Sequence, residues 1–206
     1  MGKLVYGVGI NDADYVTQLF EPIVDVCGKK KQKRVWVCPF YEKWKDMLKR
    51  AYSEKLKLRR PTYGGITVTK EWHLFSTFKS WMEAQDWEGK HLDKDLLIPG
   101  NKVYSPETSV FVSRLVNTFL TDRCNDRGDC RLGCHWHKQA GKYVSMCSDP
   151  FTNKQGYLGL FHTEQEAHRA WLAKKLEHAY ALAAIQTDER VAKALIDRYE
   201  NYKELF

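Results

Sequence analysis

The chain has 206 residues, of which 43% are hydrophobic and 13% aromatic, and this is enough apolar material for compact cores rather than a disordered chain. No apolar run reaches the length of a membrane span, and the opening MGKLVYGVGIND lacks the order of a signal peptide, so a cytosolic protein without a membrane partner is expected. Six cysteines in such a chain favour free thiols or a metal over a disulfide framework.

The net charge of +7 is concentrated at the start of the chain. Residues 1–60 hold 14 Lys and Arg against 7 Asp and Glu, whereas residues 61–206 hold 19 against 19. A footprint of this kind favours a polyphosphate partner such as DNA, and the alternative is a solvated face that maintains solubility. The basic residues assigned to DNA binding in this region are Lys29, Lys30, Lys31, Lys33, Arg34, Arg59 and Arg60.

Periodicity and turn residues predict the elements of the first hundred residues. LVYGVGI is typical of a short strand, and GKKKQKR (28–34) is predicted to be a mobile loop. Pro39 is well placed to start an amphipathic helix, GITVT indicates a strand, and KEWHLFSTFKSWMEAQDW indicates a second helix. The aromatic residues of that second helix are assigned to packing rather than to base stacking.

The run LDKDLL (92–97) places two carboxylates beside a strand-loop-helix pattern formed with IPGNKVYSPET and SVFVSRLVNTFL. Asp93 and Asp95 are two residues apart, so on extended backbone both face one side, where they could bind Mg²⁺. Alternatively, the aspartates cap the next loop or pair with Lys94 and Lys102. The turn formers at 122–130 then mark a boundary between domains 1–124 and 125–206.

The last third of the chain is predicted to form a separate module. RLGCHWHK, KYVSMCSDP and GYLGLF alternate as strands do, and Thr163 with Glu166 forms a T-x-x-E capping box before a helix. A three-stranded antiparallel sheet covered by one helix is the expected arrangement. The final helix has an apolar stripe that could pack on either module or form a homodimer surface.

Two stretches resemble known families. CPFYEKWKDMLKRAYS, PTYGG, EWHLFSTFKSWM and LDKDLLIPGNKVYSPETSVFV resemble bacteriophage HNH homing-endonuclease-like proteins. RLGCHWHKQAGKYVSMCSDPFTNKQGYLGLFHTEQEAHRAW resembles the Apetala-type DNA-binding domain of plant ethylene-response factors, which phage HNH proteins often carry at the C-terminus. The resemblance implies an α+β fold with an HNH-like, ββα-related first domain and a sheet-plus-helix second domain. It also implies a protein that binds double-stranded DNA in the cytoplasm of a bacterial host.

In such sheet modules the strands lie on the duplex, and side chains reach base edges and phosphates. The matching residues of the second domain are Arg131, His135, His137, Lys138, Lys142, Tyr143, Ser145 and Lys154. Lys94 and Lys102 are assigned to the DNA surface of the first domain. Alternation places Cys134 and Trp136 on one face of the first strand and His135 and His137 on the other.

An HNH nuclease uses a histidine base, a divalent ion and an asparagine. In this chain Lys94 or Asp95 stands where the base is expected, so the first motif is degenerate. Asp93 and Asp95 are the candidates to bind Mg²⁺ or Mn²⁺, and Asn117 matches the closing asparagine of the family's motif. His91, two residues before Asp93, is the candidate to replace the missing base. Asn101, Glu107 and Ser113 are candidates to complete the shell. If the protein is an enzyme, it is a metal-dependent DNA endonuclease.

A further set of potential ligands is Cys124, Cys130, Cys134, His135, His137 and Cys147. It contains no C-x-x-C knuckle, so buried thiols are expected rather than structural zinc. The alternative function is a non-catalytic DNA-binding regulator, or an anti-defence protein that binds a host protein through exposed aromatics such as Trp81 and Trp87. A DNA binder should lose affinity steeply as salt rises, whereas a protein-directed inhibitor need not.

Overall fold

The computed structural model describes residues 4–121 and 130–202 and has a mixed α+β fold with small sheets. The strands are β1 (Gln18–Val24), β2 (Lys30–Val37), β3 (Thr67–Val68), β4 (His91–Asp93), β5 (Val103–Tyr104), β6 (Val110–Val112), β7 (Cys134–His137), β8 (Lys142–Ser148) and β9 (Gln155–Phe161). The helices are α1 (Pro39–Tyr52), α2 (Glu54–Arg59), α3 (Phe75–Glu83), α4 (Arg114–Leu120), α5 (Glu164–Ala183) and α6 (Glu189–Glu200). Short 3-10 helices occur at Pro61–Tyr63 and Lys70–His73.

The chain divides into two compact units. The first unit is Met1–Glu88 with Gly100–Phe111, and the second is Gly89–Pro99 with Val112–Phe206. This division differs from the expected boundary at residue 124, because LDKDLL and α4 group with the C-terminal sheet. Residues 122–129, where that boundary was placed, lie outside the described residues. Among the helices that the structure describes, none has the length and apolar character required to cross a membrane.

The core of the first unit is aromatic and is built on α1, which packs against α3 and β3. Pro39 occupies the first turn of α1, as predicted, and the buried stripe of the helix contains Trp44 and Leu48. The Trp44 indole N–H donates to the backbone carbonyl of Trp72 at 2.7 Å, which fixes the ring in the core. The prediction that the aromatics of residues 70–87 serve packing is confirmed for Trp72, Phe75 and Phe78, which have no exposed surface.

The predicted strand at residues 4–10 is wrong. Tyr6 and Gly7 have left-handed φ angles of 50° and 80°, and they turn the chain back so that Val5 and Gly9 form an isolated bridge. Gly9 then lies against α1, where a Cβ atom would be 2.4 Å from Leu48 Cδ1. The segment therefore covers the core as a tight turn.

The predicted mobile loop at residues 28–34 is instead part of β2, which pairs antiparallel with β1. Asp25 closes the connection, because its Oδ1 accepts from the N–H groups of Cys27 and Lys29, both at 2.9 Å. Gly28 supplies the required left-handed φ of 75°. We call residues 18–37 the basic ribbon.

The second unit contains a three-stranded antiparallel sheet in the order β7-β8-β9, as predicted. Helix α5 contacts all three strands, and α6 packs on α5. The predicted capping box is present, since Thr163 Oγ1 accepts from Glu166 N–H and the Glu166 carboxylate accepts from Thr163 N–H. The apolar stripe of α6, with Val191, Leu195 and Tyr199, is buried inside this unit and is therefore not an open dimer surface.

Candidate nucleic-acid interface

The two faces of the C-terminal sheet differ in cover, because helix α5 packs on one of them. Directly paired residues of antiparallel strands share a face, so the register pairs Cys134 with Ser145 on one side and His137 with Lys142 on the other. Helix α5 covers the Cys134 side at Ser145, which has no exposed surface, whereas Trp136 near the hairpin end of that side is 45% exposed. The opposite side, which we call the outer face, presents the side chains of His135, His137, Lys142, Tyr157 and Leu160, while Val144 in the central strand of that face is buried.

Two histidines on β7 give the outer face its hydrogen-bonding groups. Both His135 and His137 are exposed, and the tip of the β7–β8 hairpin orients the second ring. The backbone N–H of Ala140 donates to His137 Nδ1 at 3.1 Å, so in the neutral ring the proton lies on Nε2. That nitrogen is a donor suited to an acceptor on a base edge or a phosphate. Lys138, in the same hairpin tip, is also exposed.

Tyr143 and Ser145 lie on the side of the sheet that faces α5, away from the outer face. The register pairs Tyr143 with Trp136, and the two rings pack edge to face with their centroids 4.9 Å apart. The structure therefore does not bring these two residues together with the histidines. The sequence predicts correctly which side chains of β7 share a face. Which side chains of β8 lie on that same face depends on the register between the two strands, and the sequence does not show this register.

Arg131 and Lys154 flank the sheet at different points. Arg131 is half-buried, and its backbone N–H donates to the Glu164 carboxylate at the start of α5. Lys154 is exposed immediately before β9, where the Asp149 side chain orders the preceding loop by accepting from Phe151 N–H at 2.8 Å. Both positions lie at the margins of the sheet and not within its outer face.

Two residues of the outer face were not singled out from the sequence. Tyr157 and Leu160 are exposed on β9, and their pairing with Met146 and Val144 places them beside the histidine strand. A β-bulge shifts the register of β8 and β9 between Ser145 and Met146, so simple alternation along YLGLF gives the wrong phase for one half of the strand.

The carboxylates of LDKDLL already have protein partners. Asp93 Oδ1 accepts from the N–H groups of Asp95 at 2.9 Å and Leu96 at 2.7 Å, so it caps the turn that follows β4. Lys94 Nζ lies 2.9 Å from Asp95 Oδ2, and the Lys94 side chain is only 9% exposed. Burial, and then the neighbouring Asp95 charge, raise the pKa of Asp93 above its ordinary value. Lys94, assigned to the DNA surface by sequence, is therefore buried in an ion pair.

This donor set does not fit a divalent cation. Mg²⁺ and Mn²⁺ need oxygen ligands with available negative charge, but an ammonium group already neutralises Asp95 and two backbone donors occupy one oxygen of Asp93. Within residues 4–121 and 130–202, no group of three or more His, Cys, Asp or Glu side chains could hold a metal ion. Of the two readings of LDKDLL that the sequence left open, the contacts match the capping and ion-pair arrangement.

The other proposed members of the nuclease site lie around this turn. His91 is exposed at the start of β4, and Asn117 is half-buried on α4, which packs beside β4 in the same unit. Ser113 is the N-cap of α4, because its Oγ accepts from Val116 N–H at 3.2 Å. Asn101 and Glu107 belong to the first unit, where the Asn101 side chain bonds to the backbone of Val103.

The potential zinc ligands of the second unit are divided between the two faces of the sheet. Cys134 is buried, and its Sγ donates to the Arg131 carbonyl at 3.2 Å, whereas His135 is exposed on the outer face. Burial raises the pKa of Cys147, so its thiol stays protonated. Cys124 lies outside the described residues.

The remaining basic candidates lie on the surface of the first unit. Arg59 and Arg60 are exposed at the end of α2. Lys102 is also exposed, and its Nζ reaches the Thr62 carbonyl at 3.4 Å. The basic ribbon carries the other assigned residues, Lys29, Lys30, Lys31, Lys33 and Arg34, all of which are exposed.

We expect Asp93→Asn to leave stability at pH 7 unchanged or to raise it, because the amide oxygen can still accept the two backbone bonds without a buried charge. Since the folded pKa is raised, the folded state binds more protons, and wild-type stability should fall as pH rises from the ordinary value of 3.8 through the folded pKa. The stability of wild type relative to the Asn variant should therefore increase as pH falls toward 4. Melting temperatures between pH 4 and 8 measure this.

The control for this experiment is Asp93→Ala, which removes the acceptor and should cost about 1 kcal/mol as lost caps do. A melting temperature of wild type that rises on addition of Mg²⁺, but not in the Asn variant, would contradict the capping role and indicate a metal ligand.

Comparison with known proteins identifies no relative of this chain. No family model matches the chain, and no match is found among curated proteins or solved structures. The inference of function therefore rests on the two faces of the C-terminal sheet, the contacts of LDKDLL and the basic ribbon.

Proposed function

We propose that the protein binds double-stranded DNA through the outer face of its C-terminal sheet and does so without cutting it. The observation that carries the proposal is the difference between the faces: Ser145 is fully buried under α5, while His135 and His137 are exposed on the other side with Lys142 beside them. A polar, basic sheet face that a helix holds rigid can dock on a DNA duplex and contact its bases.

The dimensions of this face suit the major groove. Three strands spaced about 4.8 Å apart make a sheet roughly 10 Å wide between its outer strands, comparable to the groove width of about 12 Å. The imidazoles can donate to purine acceptors, Lys142 can reach phosphate or guanine, and Leu160 offers apolar contact to a thymine methyl. The net charge of +7 supplies the long-range attraction to the duplex.

For the first motif we propose an HNH-like scaffold that is retained without catalysis. The order along the chain is strand β4, a loop that contains the two-residue strand β5, strand β6 and helix α4, and this strand-loop-helix pattern is compatible with the ββα-related domain that the resemblance implies. The contacts of Asp93 and Lys94 disfavour a metal-dependent nuclease, because backbone donors occupy Asp93 Oδ1 and the Lys94 ammonium group pairs with Asp95 Oδ2. A DNA-binding regulator of the bacteriophage type is the function that these features support best.

The alternative of a protein that binds a host defence enzyme has less support. Trp81 and Trp87 were expected to be exposed anchors for such a partner, but both are half-buried. Trp81 packs against Trp72 with ring centroids 4.5 Å apart, and Trp87 packs against Phe40 at 4.9 Å. These rings belong to the core of the first unit and leave little surface for a partner.

The proposal predicts binding that depends on salt and an absence of cleavage. A fluorescently labelled duplex of about 30 base pairs should bind in polarisation titrations, and log Kd should rise with log salt at a slope near 0.9 per phosphate contacted. Supercoiled plasmid incubated with the protein and Mg²⁺ or Mn²⁺ should be shifted on a gel without conversion to nicked or linear forms.

The plasmid lanes with EDTA and with the Asp93→Ala, Asp95→Ala variant are the controls. Metal-dependent nicking that the variant abolishes would overturn the non-catalytic assignment and leave DNA binding intact. If the duplex does not bind even at low salt, the whole proposal fails, and the search moves to protein partners.

A further inference from the structure

The basic ribbon is a paired two-stranded structure whose side chains have little cover. Between Leu19 and Trp36 every described side chain is exposed except Asp25, which closes the turn. Phe20 is 51% and Trp36 45% exposed, an unusual degree for aromatics in a regular strand pair. A two-stranded sheet without cover is only marginally stable, so this segment has the features of an element that is completed by a partner.

The charge and shape of the basic ribbon indicate which kind of partner it binds. The ribbon carries five basic residues (Lys29, Lys30, Lys31, Lys33 and Arg34) against two acidic ones (Glu21 and Asp25). We propose that the ribbon lies in the major groove of duplex DNA as a reading element separate from the C-terminal sheet. This inference rests on the proposed function, because it assumes that the protein binds DNA.

The register decides which face of the ribbon meets the bases. Phe20 pairs with Arg34, Pro22 with Gln32 and Val24 with Lys30, so these six side chains share one face. None of these six side chains is a carboxylate. The other face pairs Glu21 with Lys33, and Asp25 Oδ2 lies 2.6 Å from Lys31 Nζ. The face without carboxylates is the one that we assign to the groove.

The side chains of the face assigned to the groove are of the types that recognise base edges. Gln pairs with adenine, Arg with guanine, and an apolar ring such as that of Phe20 contacts the thymine methyl group. Arg34 Nη2 is held 2.7 Å from Glu42 Oε1 in the structure, but both side chains are about 40% exposed. An exposed ion pair of this kind is weak, so the guanidinium can exchange Glu42 for DNA at little cost.

The size of the ribbon fits the groove. The major groove is about 12 Å wide, and a two-stranded ribbon with its side chains can enter it. Seven paired residues at about 3.3 Å each extend about 23 Å, or roughly seven base pairs. With the ribbon in the groove, the lysines of β2 are placed along the phosphates of the nearer DNA strand.

A second copy of the chain is a poorer occupant. Adding strands edge to edge requires backbone N–H and C=O groups along an open strand, but Pro22 removes a donor from β1. On the other edge, β2 carries Lys30, Lys31, Lys33 and Arg34, which would face like charges in a symmetric pair. Both edges thus have the features that discourage strand addition.

Guanine N7 lies in the major groove, so methylation interference tests the proposal directly. A preferred duplex is first selected from a random pool with wild-type protein, then methylated at guanine N7 and re-bound. The variant Phe20→Ala, Gln32→Ala, Arg34→Ala should bind about 10- to 100-fold more weakly, as lost base contacts do, and should lose one group of interfering guanines. The single variant Gln32→Ala, at an exposed position outside any core, should show the same local change without disturbing the ribbon.

The matched control is Lys174→Ala, Lys193→Ala, which removes a half-buried and an exposed lysine, both ion-paired, from α5 and α6 and should keep every interfering position. If the ribbon variants keep both the affinity and all interfering guanines while outer-face variants lose them, the ribbon inference is overturned and the proposed function stands. Interference only at adenine N3, which lies in the minor groove, overturns the groove assignment. Absence of any wild-type binding overturns both.

Discussion

The variant His135→Ala, His137→Ala, Lys142→Ala is expected to bind duplex DNA about 100-fold more weakly than wild type. Each base or phosphate contact removed from a specific interface costs about 1–3 kcal/mol, and a loss of about 2.7 kcal/mol is already 100-fold at 25 °C. All three side chains lie on the outer face, remote from the packing with α5, so folding should be retained. Polarisation titrations at a fixed salt concentration measure the change.

A control for this result must separate contact from total charge. Lys174→Ala, Lys193→Ala removes two positive charges from helices α5 and α6, one half-buried and one exposed, whereas the sheet variant removes one permanent charge. Unchanged affinity in the control with a large loss in the sheet variant would place the DNA on the outer face. Equal losses would mean that only net charge attracts the duplex, and the reading surface would then lie elsewhere.

Local signals explain which parts of the fold the sequence predicts well. The start of α1 at Pro39 and the capping box of α5 depend on residues within one turn of each other, so they are visible without any knowledge of tertiary contacts. The three strands of the C-terminal sheet alternate clearly and are separated by turn residues. In both cases the period of the side chains and the ends of the element point to the same structure.

The basic ribbon shows where such signals fail. KKKQKR has no apolar alternation, because neither face of β2 is buried, and strand propensity depends on a pleated, half-buried surface. The pairing with β1 is fixed by the Asp25 turn and by Gly28, a D-x-x-G pattern that indicates a turn but not the strands on either side. A strand that is stabilised by a partner outside the chain leaves little trace in hydrophobic periodicity.

The role of the candidate nuclease motif could not be predicted from the sequence for a different reason. The sequence shows that Asp93 and Asp95 are two residues apart, and it allows either a cation or a cap and ion pair. Only the geometry separates them, because it shows Lys94 buried with its ammonium group 2.9 Å from Asp95 Oδ2. Burial of a lysine cannot be read from its own position in a run of alternating charges.

Gly133→Ala should be the most destabilising small substitution in the second unit. Gly133 has a φ of 77°, and a Cβ atom there would lie 1.9 Å from Trp171 Cγ and 2.0 Å from Trp171 Cδ1. Trp171 is buried and stacks on His168 with ring centroids 5.4 Å apart, so the indole cannot move aside without opening the packing of α5. Left-handed strain of about 1–2 kcal/mol and overpacking of about 1–3 kcal/mol add to a loss of roughly 2–5 kcal/mol.

Gly141→Ala is the matched control, because it isolates the backbone component. Gly141 has a similar left-handed φ of 59° but no atom within 4 Å of the built Cβ, so it should lose only about 1–2 kcal/mol. Chemical denaturation followed by tryptophan fluorescence gives both free energies of unfolding. Equal costs at the two glycines would show that Trp171 does not pack on the β7 strand start. Helix α5 would then not hold the sheet as described, and the argument for a rigid outer face would fail with it.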